Sequence, residues 1–313
     1  MSIKLEHLSH AYEQNSASSR YAIEDINLTI EKGEFIGLIG HTGSGKSTLI
    51  QHLNGLLKGT EGSYHFDGED VYAEDYDMKK LRSRVGMSFQ YPEHQLFEIT
   101  VLKDVCFGPI NMGLSEEEAI VESKKALEAV GLPEKFYEKS PFELSGGQKR
   151  RVAIAGVLAM NPEYFILDEP TAGLDPIGRD RILELIYRLH KERNMTIVLV
   201  SHSMEDVAEY ADRLLVMNKG HLMFDDKPVE VFRHKKELEA MGLSAPETSY
   251  VMEELRQKGF FVNLDAITME QAVDSIYQAI SGDEIQKCSR FSQPESNDGT
   301  GEQKQPAKEE EGL

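Results

Sequence analysis

The segment Gly40–Thr48 limits the possible folds of this chain more than any other part of its sequence. Its sequence is Gly-His-Thr-Gly-Ser-Gly-Lys-Ser-Thr, and it lies between the apolar run Phe35–Ile39 and an expected helix, Leu49–Leu57. Glycines permit a tight turn in which successive backbone N–H groups point inward, and the helix N-terminus adds partial positive charge. A strand, this motif and a helix in that order predict a phosphate-binding loop in a parallel sheet.

Every residue of this loop is a candidate ligand for a nucleoside triphosphate. We expect Lys46 to bind the β- and γ-phosphates and Ser47 to bind Mg²⁺. The remaining candidates supply the turn and its backbone N–H groups: Gly40, His41, Thr42, Gly43, Ser44, Gly45 and Thr48. The alternative, a glycine-rich loop with a lysine by chance, fits poorly with the strand and helix on either side.

A second apolar run, Tyr164–Leu167, ends in the paired acids Asp168 and Glu169. Buried charge is costly unless it is paired, so two acids at the end of a core strand indicate a function. We expect Asp168 to support the hydrated Mg²⁺ and Glu169 to act as general base on the attacking water, or to position it. The alternative is a pair of surface acids.

Two further polar residues follow apolar strands. His202 comes after Thr196–Val200, and Gln90 closes Val85–Phe89. Because the carboxyl ends of parallel strands converge where ligands bind, His202 is expected near the γ-phosphate and Gln90 near the metal and the water. Alone, such a histidine is more often structural and such a glutamine carries almost no signal, so both hypotheses depend on the other motifs.

A second anion-binding turn is predicted at Leu144–Gln148, which opens the helical segment Lys149–Met160. Ser145 is a good N-cap, and Gly146 and Gly147 expose backbone N–H groups at a helix start. Taken alone, this turn is more typical of a simple helix cap.

The order of these motifs resembles that of the ABC-transporter ATPases. Their Walker A, Q-loop, signature, Walker B, D-loop and H-loop motifs correspond here to Gly40–Thr48, Gln90, Leu144–Gln148, Asp168–Glu169, Ala172–Asp175 and His202. The resemblance covers roughly residues 1–225 and implies Mg·ATP as the bound nucleotide. It implies that Ser145, Gly146, Gly147 and Gln148 of one subunit cap ATP held by the phosphate loop of another. It also implies that Tyr12 stacks on adenine.

Further segments are similar to the ATPase subunits of energy-coupling factor (ECF) importers. These are Gln90–Pro109, Pro141–Glu143 and the appended unit 226–280. The resemblance implies that a second ATPase, a paralogue or a copy of this chain, joins it on a transmembrane coupling protein. That protein works with small substrate-capture membrane proteins for vitamins or metal ions, so the chain would be peripheral to the cytoplasmic face of the cell membrane. The Gly40–Gly43 sequence favours the second of the two ATPase paralogues.

The hydrophobic pattern together with this resemblance predicts an α/β fold. We expect a P-loop (RecA-like) parallel sheet core, an antiparallel β subdomain and an inserted helical subdomain at about 91–160, all within residues 1–225. A small C-terminal domain at 226–280 and a disordered acidic tail at 281–313 would follow.

The segment Tyr91–Pro109 is apolar and aromatic and directly follows Gln90. The resemblance implies a groove there for a helix of the membrane partner. The alternative is that its residues, among them Leu96 and Phe97, form the core of the helical subdomain.

Charge and spacing weigh against other functions. The chain has 34 Lys and Arg against 54 Asp and Glu, a net charge of −20, which disfavours nucleic acid as a partner. Only 99 positions separate Lys46 from Ser145, too few for the long coiled coil of DNA-repair members. Ribosome-acting members usually carry two cassettes, and Glu169 and His202 argue against a non-hydrolysing cassette. Since no apolar run approaches the ~20 residues of a membrane span, a membrane role requires a partner.

Overall fold

The computed structural model describes residues 2–12 and 21–291, with side chains as far as residue 281. In these ranges the strands are β1 Ser2–Ala11, β2 Tyr21–Glu31, β3 Phe35–Gly40, β4 Glu61–Phe66, β5 Glu69–Asp70, β6 Val85–Ser88, β7 Tyr164–Asp168, β8 Thr196–Val200, β9 Arg213–Asn218 and β10 His221–Asp226. The α-helices are α1 Lys46–Leu53, α2 Met78–Arg84, α3 Val101–Asn111, α4 Glu116–Ala129, α5 Gly146–Leu158, α6 Pro176–Arg193, α7 Met204–Tyr210, α8 Pro228–Arg233, α9 Lys235–Ala240, α10 Glu247–Gln257 and α11 Met269–Phe291.

The larger of the two sheets that the described residues form has the strand order β10-β9-β3-β8-β7-β6. Strand β3 pairs in parallel with β8 and β9, β7 pairs in parallel with β6 and β8, and only β10 is antiparallel to its neighbour among these described strands. Strands β3, β6 and β8 are buried at every residue. Helices and the second sheet cover both faces, which is why these strands are continuous apolar runs. The predicted parallel core is confirmed.

The second sheet is antiparallel and has the order β2-β1-β4-β5. Strands β1 and β2 pair from Ser2 opposite Glu31 to Ala11 opposite Tyr21. This confirms the antiparallel pair expected from the alternating N-terminal sequence. Its apolar face packs with helix α1 and strand β3 into one core, which includes Leu5, Ile26 and Leu49.

Helices α3, α4 and α5 are inserted between β6 and β7 and form the helical part of the fold. Ser115 begins α4 with the capping box that the sequence predicts, because its hydroxyl and the Glu118 carboxylate each accept from the other residue's backbone N–H. Val105, Leu127 and Val152 pack together in the core beneath these helices. The signature segment therefore starts a helix that is anchored in this core.

Helix α1 is shorter at its C-terminus than expected, because it ends at Leu53 rather than Leu57. Gly55 has φ +70°, its N–H donates to His52 O at 2.9 Å, and the N–H of Leu56 donates to Gln51 O at 2.8 Å. This pair of bonds is a Schellman motif, which stops a helix where glycine can adopt the left-handed conformation.

The C-terminal unit has a small core of its own, with Met252, Val262 and Ala272 buried between α10 and α11. Helix α11 runs to Phe291, so the backbone does not change at residue 281, where the sequence analysis starts the tail. Extending an existing helix is inexpensive, and residues 283–287 are mostly acceptable helix formers. The rest of the expected tail, 292–313, lies outside the described residues. Among the described helices, none has both the length and the apolar content needed to cross a bilayer.

Candidate nucleotide-binding and hydrolysis site

The phosphate loop connects the end of β3 to the first turn of α1. Gly45 is the N-cap of α1 with φ +106°, and a Cβ there would lie 2.6 Å from the Ala22 carbonyl oxygen. Gly43, at φ +79°, lies in open space. A side chain at Gly45 would clash with the Ala22 carbonyl, and Gly43 adopts the left-handed backbone conformation that favours glycine. These two positions explain why the loop needs glycine.

Lys46 is buried at the start of α1, and its ammonium closes the loop. Its Nζ donates to the Gly40 carbonyl at 2.7 Å and to the His41 carbonyl at 3.2 Å. Burial lowers the pKa of Lys46, and the nearby Glu169 and Asp168 carboxylates act in the opposite direction. An ammonium has three N–H donors, so one remains for a phosphate oxygen.

Two further contacts indicate that the loop is preformed. His41 Nε2 lies 3.0 Å from Asn218 Oδ1, and the Gly220 N–H donates to the Ser44 carbonyl at 2.9 Å. The Ser44 hydroxyl oxygen is buried and has no hydrogen-bond partner among the described residues. An unpaired buried hydroxyl is costly, and a phosphate oxygen is the partner it would take. Asn218 is not among the predicted site residues, because its only sequence signal is the turn it opens.

The structure brings the three predicted catalytic residues together, with two of them on either side of the Glu169 carboxylate. Gln90 Nε2 donates to Glu169 Oε2 at 2.8 Å, and His202 Nε2 lies 2.8 Å from Glu169 Oε1. Glu169 follows β7 with φ +49°, and its N–H donates to Val200 O at 3.1 Å. The turn directs the carboxylate out of the sheet, and the two neighbours fix its orientation.

Asp168 precedes this carboxylate at the end of β7. Burial raises the pKa of Asp168, the neighbouring Glu169 raises it further, and Lys46 opposes both. Two adjacent carboxylates with a single nearby ammonium therefore fit an additional cation. The candidate donors, Asp168, the exposed Ser47 hydroxyl and the Gln90 amide, are the oxygen ligands that Mg²⁺ prefers.

Tyr12 lies beside α1 with an exposed ring. Its hydroxyl is 3.1 Å from Thr48 Oγ1, and its ring meets the edge of His10 at a centroid distance of 4.8 Å. Next to the phosphate loop with 62% of its surface exposed, the ring is accessible to an adenine base. Adenine stacking stays a prediction, and the neighbouring residues 13–20 lie outside the described residues.

The signature segment lies apart from this cluster. Ser145 and Gln148 form a capping box, in which Gln148 Oε1 accepts the Ser145 N–H at 2.9 Å. A Cβ built at Gly146 or Gly147 would meet nothing within 4 Å, so this helix start is open to solvent. None of the described hydrogen bonds joins these residues to the phosphate loop.

Comparison with known proteins decides the family. The ABC transporter family model matches residues 23–172. The energy-coupling factor transporter ATP-binding protein EcfA2 of Clostridium tetani is 58% identical over 273 residues, 87% of this chain and 95% of that protein. The chain belongs to the ECF transporter ATP-binding proteins. The relative's name also agrees with the second ATPase paralogue that Gly40–Gly43 favours.

Solved structures of ABC transporter proteins have the same fold. The cbiO1 protein of Clostridium perfringens, described as part of the ABC transporter complex cbiONQ, is 40% identical with a TM-score of 0.67, over 80% of this chain and 98% of that chain. The cassette MJ0796, solved as a dimer in a post-hydrolysis state with ADP and Pi, is 31% identical with a TM-score of 0.65, over 72% and 98%.

Proposed function

We propose that this chain hydrolyses Mg·ATP between two ATPase subunits and thereby drives uptake through a membrane partner. The observation that carries the proposal is the carboxylate of Glu169, held from both sides by Gln90 and His202 at the edge where Lys46 lies. A base with a fixed orientation next to a phosphate-binding lysine suits attack by water on a phosphoryl group.

Each residue of this cluster has a role that follows from its chemistry. Lys46 and the backbone N–H groups of the loop would bind the phosphates, and Glu169 would take the proton from the attacking water. Gln90 and His202 would keep the Glu169 carboxylate in position, which avoids reorganisation when the water arrives. Mg²⁺, held through Asp168 and Ser47, would neutralise phosphate charge.

The exposed signature segment favours a composite site. Gly146 and Gly147 present backbone N–H groups at the start of a 13-residue helix. Among the described residues, nothing lies within 4 Å of a Cβ built at either glycine, so this helix start is accessible to a ligand. We infer that they complete the site of a second subunit, a paralogue or a copy of this chain. The dimeric MJ0796 cassette with ADP and Pi, 31% identical, supports this arrangement.

Arginine at Ser145 should therefore prevent closure of the two subunits without affecting the phosphate loop. The bulky cation would fill the space that the partner's phosphate needs. Ser115→Arg is a matched control, because Ser115 caps α4 with the same capping box but lies outside the signature. Sedimentation with Mg·ATP, with Glu169→Gln present in every protein so that hydrolysis is blocked, should show that Ser115→Arg associates and Ser145→Arg does not. Equal association of the two variants would contradict the composite site.

The segment proposed to dock on the membrane partner divides into buried and exposed residues. Leu96 and Val101 are 8% and 0% exposed, so the core alternative is correct for them. Phe97 and Phe107 are 58% and 47% exposed, and their rings meet edge to face at 5.0 Å. Two exposed aromatic rings in the segment that follows Gln90 are suited to bind a helix of a transmembrane coupling protein.

Aspartate at Phe97 should weaken assembly with the membrane partner by roughly 30-fold, which corresponds to the loss of one aromatic hot spot. Leu96 is left unchanged, because its loss would disturb the core. ATP affinity of the purified chain should stay at the parent level. The test is the fraction of the chain recovered with membranes from cells that express the whole transporter. Phe261→Asp, at another exposed phenylalanine (83%), should behave like the parent chain. Parent-like recovery of Phe97→Asp would exclude this docking surface.

Isolation of the chain from such membranes tests the proposed function itself. Integral coupling and substrate-capture proteins should co-purify, and the complex reconstituted in vesicles should hydrolyse ATP faster than the isolated chain. Recovery of the chain without membrane proteins, or with nucleic acid instead, would contradict the function and its location at the cytoplasmic face of the membrane.

A further inference from the structure

Arg150 is the largest fully buried side chain among the described residues, with 1% of its surface exposed. It lies in α5, five positions after Ser145. A buried guanidinium is unfavourable unless its donors are bonded and its charge is paired. Its partners therefore indicate which parts of the fold it connects.

One edge of the Arg150 guanidinium binds Glu93 with two hydrogen bonds. Nε donates to Oε2 at 3.0 Å and Nη2 donates to Oε1 at 2.7 Å. Burial is the largest single influence and raises the pKa of Glu93, but the hydrogen bonds and charge of Arg150, a backbone N–H and the nearby His94 together hold that pKa below its usual range. Glu93 lies in the 3₁₀ turn Pro92–Gln95, three residues after Gln90 and four residues before Phe97 of the proposed docking surface.

The remaining nitrogen binds the backbone next to the general base. Nη1 donates to the carbonyls of Pro170 and Ala172 at 3.0 and 2.9 Å. Pro170 directly follows Glu169, and the Ala172 N–H donates to the Glu169 carbonyl at 3.1 Å. Arg150 therefore fixes the turn that directs the Glu169 carboxylate.

We propose that Arg150 is a positioning residue that holds Glu169 for hydrolysis and transmits the occupancy of the ATP site to residues 91–109. The proposal rests on the proposed function, because it needs ATP at the phosphate loop and a partner at the docking surface. One rigid, planar group joins the signature helix, the turn after Glu169 and the segment after Gln90. A movement at any of the three shifts the bonds of the other two.

Lysine at Arg150 tests the catalytic half of this proposal, since it keeps the charge but cannot span Glu93 and both carbonyls. We expect kcat for ATP hydrolysis to fall about 10- to 100-fold, as small misplacements of catalytic groups do, with KM for ATP within about twofold. The control is Asp225→Asn, which breaks the paired bonds between Arg213 and Asp225 at the opposite end of the parallel strands. It should leave kcat unchanged. If Arg150 had a purely structural role, Arg150→Lys and Asp225→Asn would have the same kcat.

Hydrogen–deuterium exchange on the full chain, with and without Mg²⁺ and the non-hydrolysable analogue adenylyl imidodiphosphate, tests the transmission half. In the parent chain the analogue should slow exchange in residues 40–48 and alter it in residues 91–109. In Arg150→Lys the analogue should still slow exchange in residues 40–48, but exchange in residues 91–109 should no longer change. If that variant does not fold, Glu93→Gln keeps the bonds of Arg150 to Pro170 and Ala172. It should lose the response at 91–109 with a smaller loss of kcat.

Different outcomes of these experiments would contradict ATP binding and the role of Arg150. No protection of residues 40–48 in the parent chain contradicts ATP binding and therefore the proposed function. Protection of 40–48 without any response at 91–109, or an identical response in parent and Arg150→Lys, overturns the role of Arg150 alone.

Discussion

Glutamine in place of Glu169 should lower the rate of ATP hydrolysis by about 10²- to 10⁴-fold, the usual contribution of a general base. The amide has nearly the same shape, so the fold should not change. The two donors that now bind the carboxylate can adapt, because the Gln90 amide can rotate and a neutral His202 can accept a hydrogen bond through Nε2. What the variant lacks is the capacity to take a proton from water. Phosphate release at saturating Mg·ATP measures the effect.

Glu163→Gln is a matched control for this prediction. Glu163 directly precedes β7 and binds Arg84 and Lys32 at the other end of the same strand, whereas Glu169 directly follows it. Its loss should affect stability and leave turnover near the parent value. If Glu169→Gln hydrolyses ATP at the parent rate, Glu169 is not the base.

Alanine at Lys46 should weaken ATP binding by about tenfold or more. Charge-assisted hydrogen bonds contribute roughly 1.5–3 kcal/mol each, and the ammonium is expected to bind phosphate oxygens directly. It also donates to the carbonyls of Gly40 and His41, so its removal loosens the loop as well. Calorimetric titration with ATP measures the loss. Lys58→Ala, an exposed lysine close after α1, should bind ATP like the parent chain. Unaltered ATP affinity in Lys46→Ala would show that the phosphates bind elsewhere.

The buried strands could be predicted because their physical signal is local. Thr196–Val200 has the predicted bounds, and β7 exceeds the predicted run only by Asp168. Both are continuous apolar segments bounded by polar residues, as a strand covered on both faces requires. The two-residue β5 and the largely exposed β10 have no such signal, because their pairing depends on neighbours that a local pattern does not reveal.

Site residues could be predicted where the chemistry needs them close together in sequence. The phosphate loop is one turn, and the pair Asp168–Glu169 follows one strand, so spacing alone indicates both. The pair Arg150–Glu93 joins residues 57 positions apart, and His41–Asn218 joins residues 177 apart. Only the folded chain brings such pairs together.

The docking segment shows a second limit of sequence reasoning. Leu96 and Phe97 are adjacent, and yet one is buried and the other exposed. They lie between the 3₁₀ turn Pro92–Gln95 and helix α3, where no regular period relates a residue to one face.

The mass of the Glu169→Gln protein in solution shows whether two subunits close around ATP. Multi-angle light scattering would be recorded without nucleotide and with Mg·ATP, for the chain alone and mixed with its paralogue. We expect a dimer that forms with ATP, persists because hydrolysis is blocked, and is lost when Ser145→Arg is added in both subunits. If ATP changes the mass neither of the chain alone nor of its mixture with the paralogue, the composite site is contradicted.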